Sequence, residues 1–307
     1  MNLSRAGAEI SKEFDPPHAA VTDAVARAIA EDLLPIGDLT ASLIPEGTET
    51  TVAVVSRATG TLAGTACAHE SFRQIDPDLL VYWRVGDGAA LAPGDEVASV
   101  TGSLRSILTA ERTALNFLCH LSGIATLTRH FVDAVSSVNP ATRVLDTRKT
   151  TPGLRALEKA AVRAGGGHNH RGSLSEAVLV KDNHLGTLSI TEAVVEARRR
   201  WPGRMVEVEC ERQEQVDEAV AAGASVVMLD NMDLDQVAAC VSRVRAAHGP
   251  ALVEVSGGVD HVRALAVAAA GADLVSVGAL THSAPSLDLA LDLERPARRL
   301  PTGKRKG

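Results

Sequence analysis

Between residues 143 and 277 the apolar positions fall into a repeating unit: a short run of Val, Leu, Ile or Met, a polar loop, then a stretch with helical spacing. The runs at 143–146, 177–181, 205–210, 225–230, 251–256 and 273–277 are short and rich in β-branched residues, which predicts strands. Helix signals lie between them, including the Ser189-Ile-Thr-Glu192 capping box and stops at Gly223 and Gly271. Six βα units imply a parallel sheet. Upstream, Val21, Val25 and Ile29 recur at helical spacing after Pro16-Pro17, predicting a helix ended by Pro35. Residues 50–102 change to β-rich pieces punctuated by Gly and Pro, predicting a small sheet domain with one helix near 69–75. Residues 103–121 predict a helix with Leu108, Arg112, Leu115 and Cys119 on one face. Ser122-Gly123 predicts its end, and a second helix carries Leu127, Phe131 and Val135.

Polar residues at the strand ends decide between an open sheet and a barrel. In chain order they are Arg148 with Lys149, Lys181, Glu209, Asp230, Ser256 with Gly257, and Gly278. A closed barrel gathers all six ends at one mouth, where barrel enzymes build their sites, whereas an open sheet spreads them along an edge. The region holds about 165 residues, short for eight strands, so a barrel of six or seven is predicted. Arg112 is awkward in an apolar stripe. It snorkels, pairs with a carboxylate, or serves a ligand or a partner subunit, and spacing alone leaves these open.

Composition narrows the function classes. A chain of 307 residues predicts two domains, divided here as 1–120 and 121–281, with 282–294 a candidate to rejoin the first. Aromatic residues make up only 2%, too few for base stacking, and the net charge of −7 opposes general polyanion binding, so no nucleic-acid partner is expected. Four scattered cysteines give neither a zinc pattern nor a disulfide framework. Charged residues occupy the first 17 positions where a signal peptide needs an apolar core, and there is no run of membrane-spanning length; a soluble, cytoplasmic protein with no membrane partner is expected. The basic, proline-containing segment 295–307 is expected to be a disordered tail.

Against that acidic background, residues 143–181 form a cationic island. Arg155, Lys159 and Arg163 are spaced along a helix and are expected on a solvated face. Arg148, Lys149, His170, Arg171 and Lys181 instead cluster beside Gly and Pro at element ends, which predicts an anion site. Glu209 and Asp230 supply an opposite rim suited to sugar hydroxyls or Mg²⁺, or to structural pairing with the nearby cations. Alternation in Val206-Glu-Val-Glu209 places Glu207 and Glu209 on one side of their strand. Ser256-Gly257-Gly258 ends a strand and opens a helix, offering bare N–H groups to a phosphate, and Gly278-Ala279 repeats the arrangement. The set points to a phosphorylated sugar meeting a small polycarboxylate. Lys181 at a strand end also fits a Schiff-base aldolase. Residues 86–102 resemble a lipoyl or biotinyl carrier hairpin, but no lysine occurs between Lys12 and Lys149 to be modified.

These residues carry a family resemblance. Asp146-Thr-Arg-Lys-Thr-Thr-Pro-Gly-Leu-Arg155, Gly165-Gly-Gly-His-Asn-His-Arg171, Lys181-Asp-Asn-His184, Val206-Glu-Val-Glu-Cys210, Leu229-Asp-Asn231, Val255-Ser-Gly-Gly258 and Val277-Gly-Ala-Leu-Thr-His282 resemble the quinolinate phosphoribosyltransferases. Gly37-Asp-Leu-Thr40 and Leu108-Thr-Ala-Glu-Arg-Thr-Ala-Leu-Asn-Phe117 extend the likeness upstream, while His168 departs from the small apolar residue expected there. The resemblance implies formation of nicotinate mononucleotide, pyrophosphate and CO₂ from quinolinate and 5-phosphoribosyl pyrophosphate, with Mg²⁺, in NAD biosynthesis. It implies an N-terminal α/β sandwich and an α/β barrel related to TIM barrels, assembled as a homodimer. Arg112, Arg148, His170, Arg171 and Lys181 would bind quinolinate, Arg112 from the neighbouring subunit. Lys149, Glu209, Asp230, Ser256, Gly257, Gly258 and Gly278 would hold the phosphoribosyl donor, with Lys149, Glu209 and Asp230 catalytic and the last two holding the metal.

Overall fold

The computed structural model describes residues 14–186 and 188–293; the expected disordered tail and most of the charged N-terminal stretch lie outside the described residues. Helix α1 (His18–Leu33) buries Val21, Ala24 and Val25, close to the predicted stripe, and Pro35 lies just beyond its last turn. Four strands, β1 (Glu49–Ser56), β2 (Gly60–Thr61), β3 (Leu80–Trp83) and β4 (Ala90–Leu91), precede β5 (Glu96–Ser103), with α2 (Thr65–Ile75) between β2 and β3. β1, β3 and β5 form an antiparallel sheet. Alternation buries Val52 and Val54 of β1 with Val97, Ala98 and Val100 of β5, against Ala68 and Phe72 of α2. An α/β sandwich results.

The predicted helix break at Ser122-Gly123 does not occur. α3 (Leu104–Val138) is one helix of 35 residues. A Cβ on Gly123 would stand 2.1 Å from the Pro285 carbonyl oxygen, so this glycine serves close crossing rather than helix termination. Ser122 Oγ satisfies both backbone groups of Ala63, at 3.0 and 3.1 Å. The N-terminal half of α3 packs Ile107, Ala114 and Leu118 into the sandwich core, and its C-terminal half packs Ile124, Phe131 and Val135 into the second core. The boundary placed between residues 120 and 121 therefore falls inside a continuous helix.

The second core surrounds six parallel strands, β6 (Arg143–Leu145), β7 (Val178–Val180), β8 (Val206–Cys210), β9 (Val226–Asp230), β10 (Leu252–Ser256) and β11 (Leu274–Ser276). All six stand where the hydrophobic pattern puts them. Helices α4 (Arg155–Ala164), α5 (Ile190–Arg200), α6 (Gln213–Ala222), α7 (Leu234–Ala246) and α8 (His261–Ala269) connect them, and the strand order is β6-β11-β10-β9-β8-β7. The barrel has a seam: among the described residues no ladder joins β7 to β6. The segment after α4 spans that seam instead. His168 bridges to Leu145 through the backbone, and Arg171 Nη1 donates to the Ala177 carbonyl at 3.1 Å just before β7. His168 participates through its backbone while its side chain is exposed, so the departure from a small residue is accommodated.

After α9 (Ala279–His282) the chain crosses Gly123 and ends in β12 (Leu289–Leu293), which pairs antiparallel with β1 from Ser56↔Leu289 to Val52↔Leu293. The sandwich sheet thus takes its edge strand from the far end of the chain.

Candidate active site

Strand alternation builds the site. On β8, Val206, Val208 and Cys210 join the apolar core, leaving Glu207 and Glu209 on the opposite face; Glu254 and Ser256 of β10 and Met228 and Asp230 of β9 follow the same rule. At the strands' C-terminal ends lies a cleft of about 530 Å³. Arg148, Lys149, His170, Arg171, Lys181, Glu209, Asp230, Ser256, Gly257 and Gly258 all line it.

Two sequence-predicted residues do not line this cleft. Gly278 sits behind it, with the space of a Cβ bounded by Lys149 Cδ and His282 Nε2 at 3.2 Å. Arg112 is exposed rather than set in the apolar stripe, because the buried face of α3 runs through Ile107, Ala110, Ala114 and Leu118. It has no hydrogen bond or ion pair among the described residues.

The cationic wall rests on α4, and the expected solvated face is corrected here. Lys159 is 6% exposed and forms an ion pair with Asp146, itself fully buried at the end of β6. Asp146 also accepts from Asn169 Nδ2 at 2.6 Å and from the His170 backbone N–H at 2.8 Å, while Lys159 donates to the His170 carbonyl at 2.8 Å. Burial pushes the Asp146 carboxyl above its ordinary range, against the pull of these donors. Arg155 ties Thr150 Oγ1 to the Gly172 carbonyl at 3.1 and 3.2 Å, and Arg163 holds Asn169 Oδ1 at 2.7 Å. The three residues are braces for the loops that present Arg148 and Arg171.

Neither Arg148 nor Arg171 has a carboxylate partner among the described residues. Arg148 Nε is buried and unpaired. Arg171 is 9% exposed, and burial together with the neighbouring Arg148 charge lowers its pKa. Two crowded, partly desolvated guanidiniums are costly without an anion to share, so this wall is shaped for a carboxylate or phosphate.

Opposite, Lys181 forms an ion pair with Glu209. Asp230 accepts from Asn231 Nδ2 at 2.8 Å, and Asn231 has a left-handed φ of 56°. A Cβ on Gly257 would lie 2.3 Å from Asn231 Oδ1 and 2.9 Å from Asp230 Oδ1, and its φ of +83° independently requires glycine. The phosphate expectation shifts by three residues: α8 begins at His261 with Asp260 capping it, so the exposed N–H groups belong to the glycine loop and not to the helix.

Beneath the cleft Glu207 meets His170 Nε2 at 2.9 Å, and Glu254, which accepts from Ser276 Oγ at 2.6 Å, lies 3.7 Å from the same nitrogen. Burial and the facing Glu207 charge push Glu254 up to about 8. Glu254 was not singled out from sequence, although the alternation that pairs Glu207 with Glu209 equally pairs Glu254 with Ser256. Met228, Asn231 and Ser276 also line the cleft.

Residues 38–122 match the N-terminal domain of quinolinate phosphoribosyl transferase, and residues 124–292 match its C-terminal domain. The chain belongs to the quinolinate phosphoribosyltransferase family. It is 41% identical to the carboxylating nicotinate-nucleotide pyrophosphorylase of Mycobacterium leprae, over 92% of this chain and 98% of that protein. The probable carboxylating nicotinate-nucleotide pyrophosphorylase of Bacillus subtilis is 41% identical, over 84% of this chain and 88% of that one. The solved structure of the Francisella tularensis nicotinate-nucleotide pyrophosphorylase superposes with a TM-score of 0.86 at 38% identity, covering 93% of this chain and all of that one (100%). Membership of the quinolinate phosphoribosyltransferases makes the chain a pentosyltransferase of NAD biosynthesis.

Proposed function

We propose that the cleft joins quinolinate to 5-phosphoribosyl pyrophosphate, with Arg148, His170, Arg171 and Lys181 receiving the two carboxylates. The single observation that carries this reading is the pair of neighbouring guanidiniums without a carboxylate of their own. The pyridine nitrogen attacks the anomeric carbon as pyrophosphate leaves. Positive charge then develops on the ribose, where Glu209 and Asp230 stabilise it. Lys149 and the N–H groups around Gly257 and Gly258 receive the donor's phosphates. Once the nitrogen is quaternary the ring accepts the electron pair left by the departing carboxylate, and CO₂ is lost. An aldolase fits less well, since an imine lysine must present a free amine and Lys181 is held by Glu209. A product assay with quinolinate and nicotinate offered together is expected to show nicotinate mononucleotide and CO₂ from quinolinate alone. Comparable kcat/KM for both acids would refute the assignment.

Asp230 and Glu209 offer hard oxygen ligands that fit Mg²⁺, and among the described residues no His/Cys set stands at that rim. When bound with the donor, the ion would neutralise the leaving diphosphate. EDTA is expected to abolish turnover and Mg²⁺ to restore it; full activity in chelator, or restoration by Zn²⁺ alone, would contradict the assignment.

A homodimer with a shared site accounts for Arg112. Leu34, Ile36, Leu39 and Leu43 are 74%, 77%, 67% and 83% exposed. Their loop is fastened to α3 beside Arg112, through Thr109 Oγ1 to Asp38 Oδ2 at 3.0 Å and Arg105 Nη2 to the Ser42 carbonyl at 3.2 Å. A second copy covering this apolar patch would carry Arg112 towards its own cleft. No helix among the described residues is long and apolar enough to cross a membrane.

A further inference from the structure

The group beneath the cleft has more to do than bind a carboxylate. Glu207 and Glu254 are 0% and 1% exposed, and their ligand atoms and that of His170 lie within 4.8 Å of one another. Two buried carboxylates this close cannot both stay ionised without compensation. His170 supplies the compensation: its Nε2 lies 2.9 Å from Glu207 Oε2 and 3.7 Å from Glu254 Oε2. The other ring nitrogen, Nδ1, has no hydrogen-bond partner among the described residues, and His170 lines the cleft.

We propose that His170 is the acid that delivers a proton to the pyridine carbon vacated by CO₂, and that Glu207 and Glu254 are positioning residues that keep its ring doubly protonated. This rests on the reaction proposed above. When the bond from C2 to its carboxylate breaks, CO₂ leaves and the electron pair remains on C2. In that same step the Nδ1–H bond breaks, its proton forms the new C2–H bond, and its electron pair stays on Nδ1, so the proton's arrival governs the loss of CO₂. The ring ends neutral, still donating Nε2–H to Glu207, and a solvent proton entering through the cleft recharges it.

Other cleft groups serve this step less well. Arg148 and Arg171 hold their protons too tightly to act as acids at neutral pH. Lys181 is tied to Glu209, and Lys149 is exposed. An imidazolium has the matching acidity. The charges facing it are Glu207 from β8, Glu254 from β10, Lys159 from α4, and Asp146 at the end of β6, which holds the His170 backbone N–H. Burial pulls the ring's pKa down, but the Glu207 hydrogen bond and the two carboxylate charges outweigh burial and Lys159, so it is raised.

The test is a single-turnover experiment with carboxyl-labelled quinolinate, timing pyrophosphate and CO₂ release separately. In His170→Gln, CO₂ release is expected to lag pyrophosphate release by on the order of 100-fold or more, the scale for loss of a general acid, and quinolinate mononucleotide should accumulate. In the wild-type enzyme the CO₂ step should slow as pH rises through the His170 titration while pyrophosphate release does not. Glu207→Gln should move that limb to lower pH by about one unit, since it removes a neighbouring anion. Equal slowing of both products, or a CO₂ step indifferent to pH and to Glu207→Gln, would overturn the role of His170. If His170→Gln does not fold, Glu254→Gln keeps the test: the pH limb of CO₂ release should persist, since Glu254 lines the cleft but is not the acid, and its disappearance would overturn the role of His170. Absence of pyrophosphate release from wild-type enzyme would instead sink the assigned reaction itself.

Discussion

Replacing Lys159 by Ala is expected to destabilise the protein by about 3–5 kcal/mol, the scale for removing one partner of a buried ion pair. The substitution strips Asp146 of its cation at a site where that carboxylate is fully buried. Asn169 Nδ2 and the His170 N–H would remain as donors but cannot neutralise the charge, so Asp146 must take a proton or draw in water. The damage should reach the site, because Lys159 and Asp146 both hold His170 and lead into Arg171. Urea unfolding followed through the second core should show the loss, and the double variant Lys159→Met with Asp146→Leu should lose less than the sum of its single changes. A loss below about 1 kcal/mol for Lys159→Ala, the range of an exposed pair, would place Lys159 back on the solvated face.

Mixing an Arg112→Ala chain with a Lys181→Ala chain is expected to recover activity that neither has alone. Each single change removes a charge-assisted contact worth about 1.5–3 kcal/mol, so each parent should lose on the order of 10-fold or more in kcat/KM. Arg112 has no partner among the described residues of its own chain, whereas Lys181 lines the cleft. In a twofold dimer with Arg112 acting across the interface, a mixed pair has one site with both defects and one with neither. Random reassociation makes about half the dimers mixed, and activity should return to roughly a quarter of wild type. Subunit exchange is checked by native mass spectrometry before turnover is measured. Mixed dimers that stay at the parental level would show that Arg112 does not complete the neighbouring site.

The local chemistry of this chain was written in one dimension. Six apolar runs predicted six strands because strand length and β-branching are local properties, and the residues ending five of the six runs marked the cleft. The phosphate loop was half legible: Ser256-Gly257-Gly258 lines the cleft, but spacing did not reveal that Asp260 caps the helix itself. What the sequence could not decide was which partners arrive from far along the chain. Gly123 looked like a helix stop because glycine is a poor helix former, and only the Pro285 backbone crossing at that point shows why it sits inside an unbroken helix. Lys159 looked solvated because its neighbours on α4 are charged, whereas its environment is set by Asp146 and His170 across a tertiary contact. Glu207 and Glu254 lie 47 positions apart in the numbering and meet His170 only because β8 and β10 flank β9 in one sheet. Periodicity fixes which face a residue takes; the charge state and partner of a buried group depend on what the fold brings against that face, and that is settled in three dimensions.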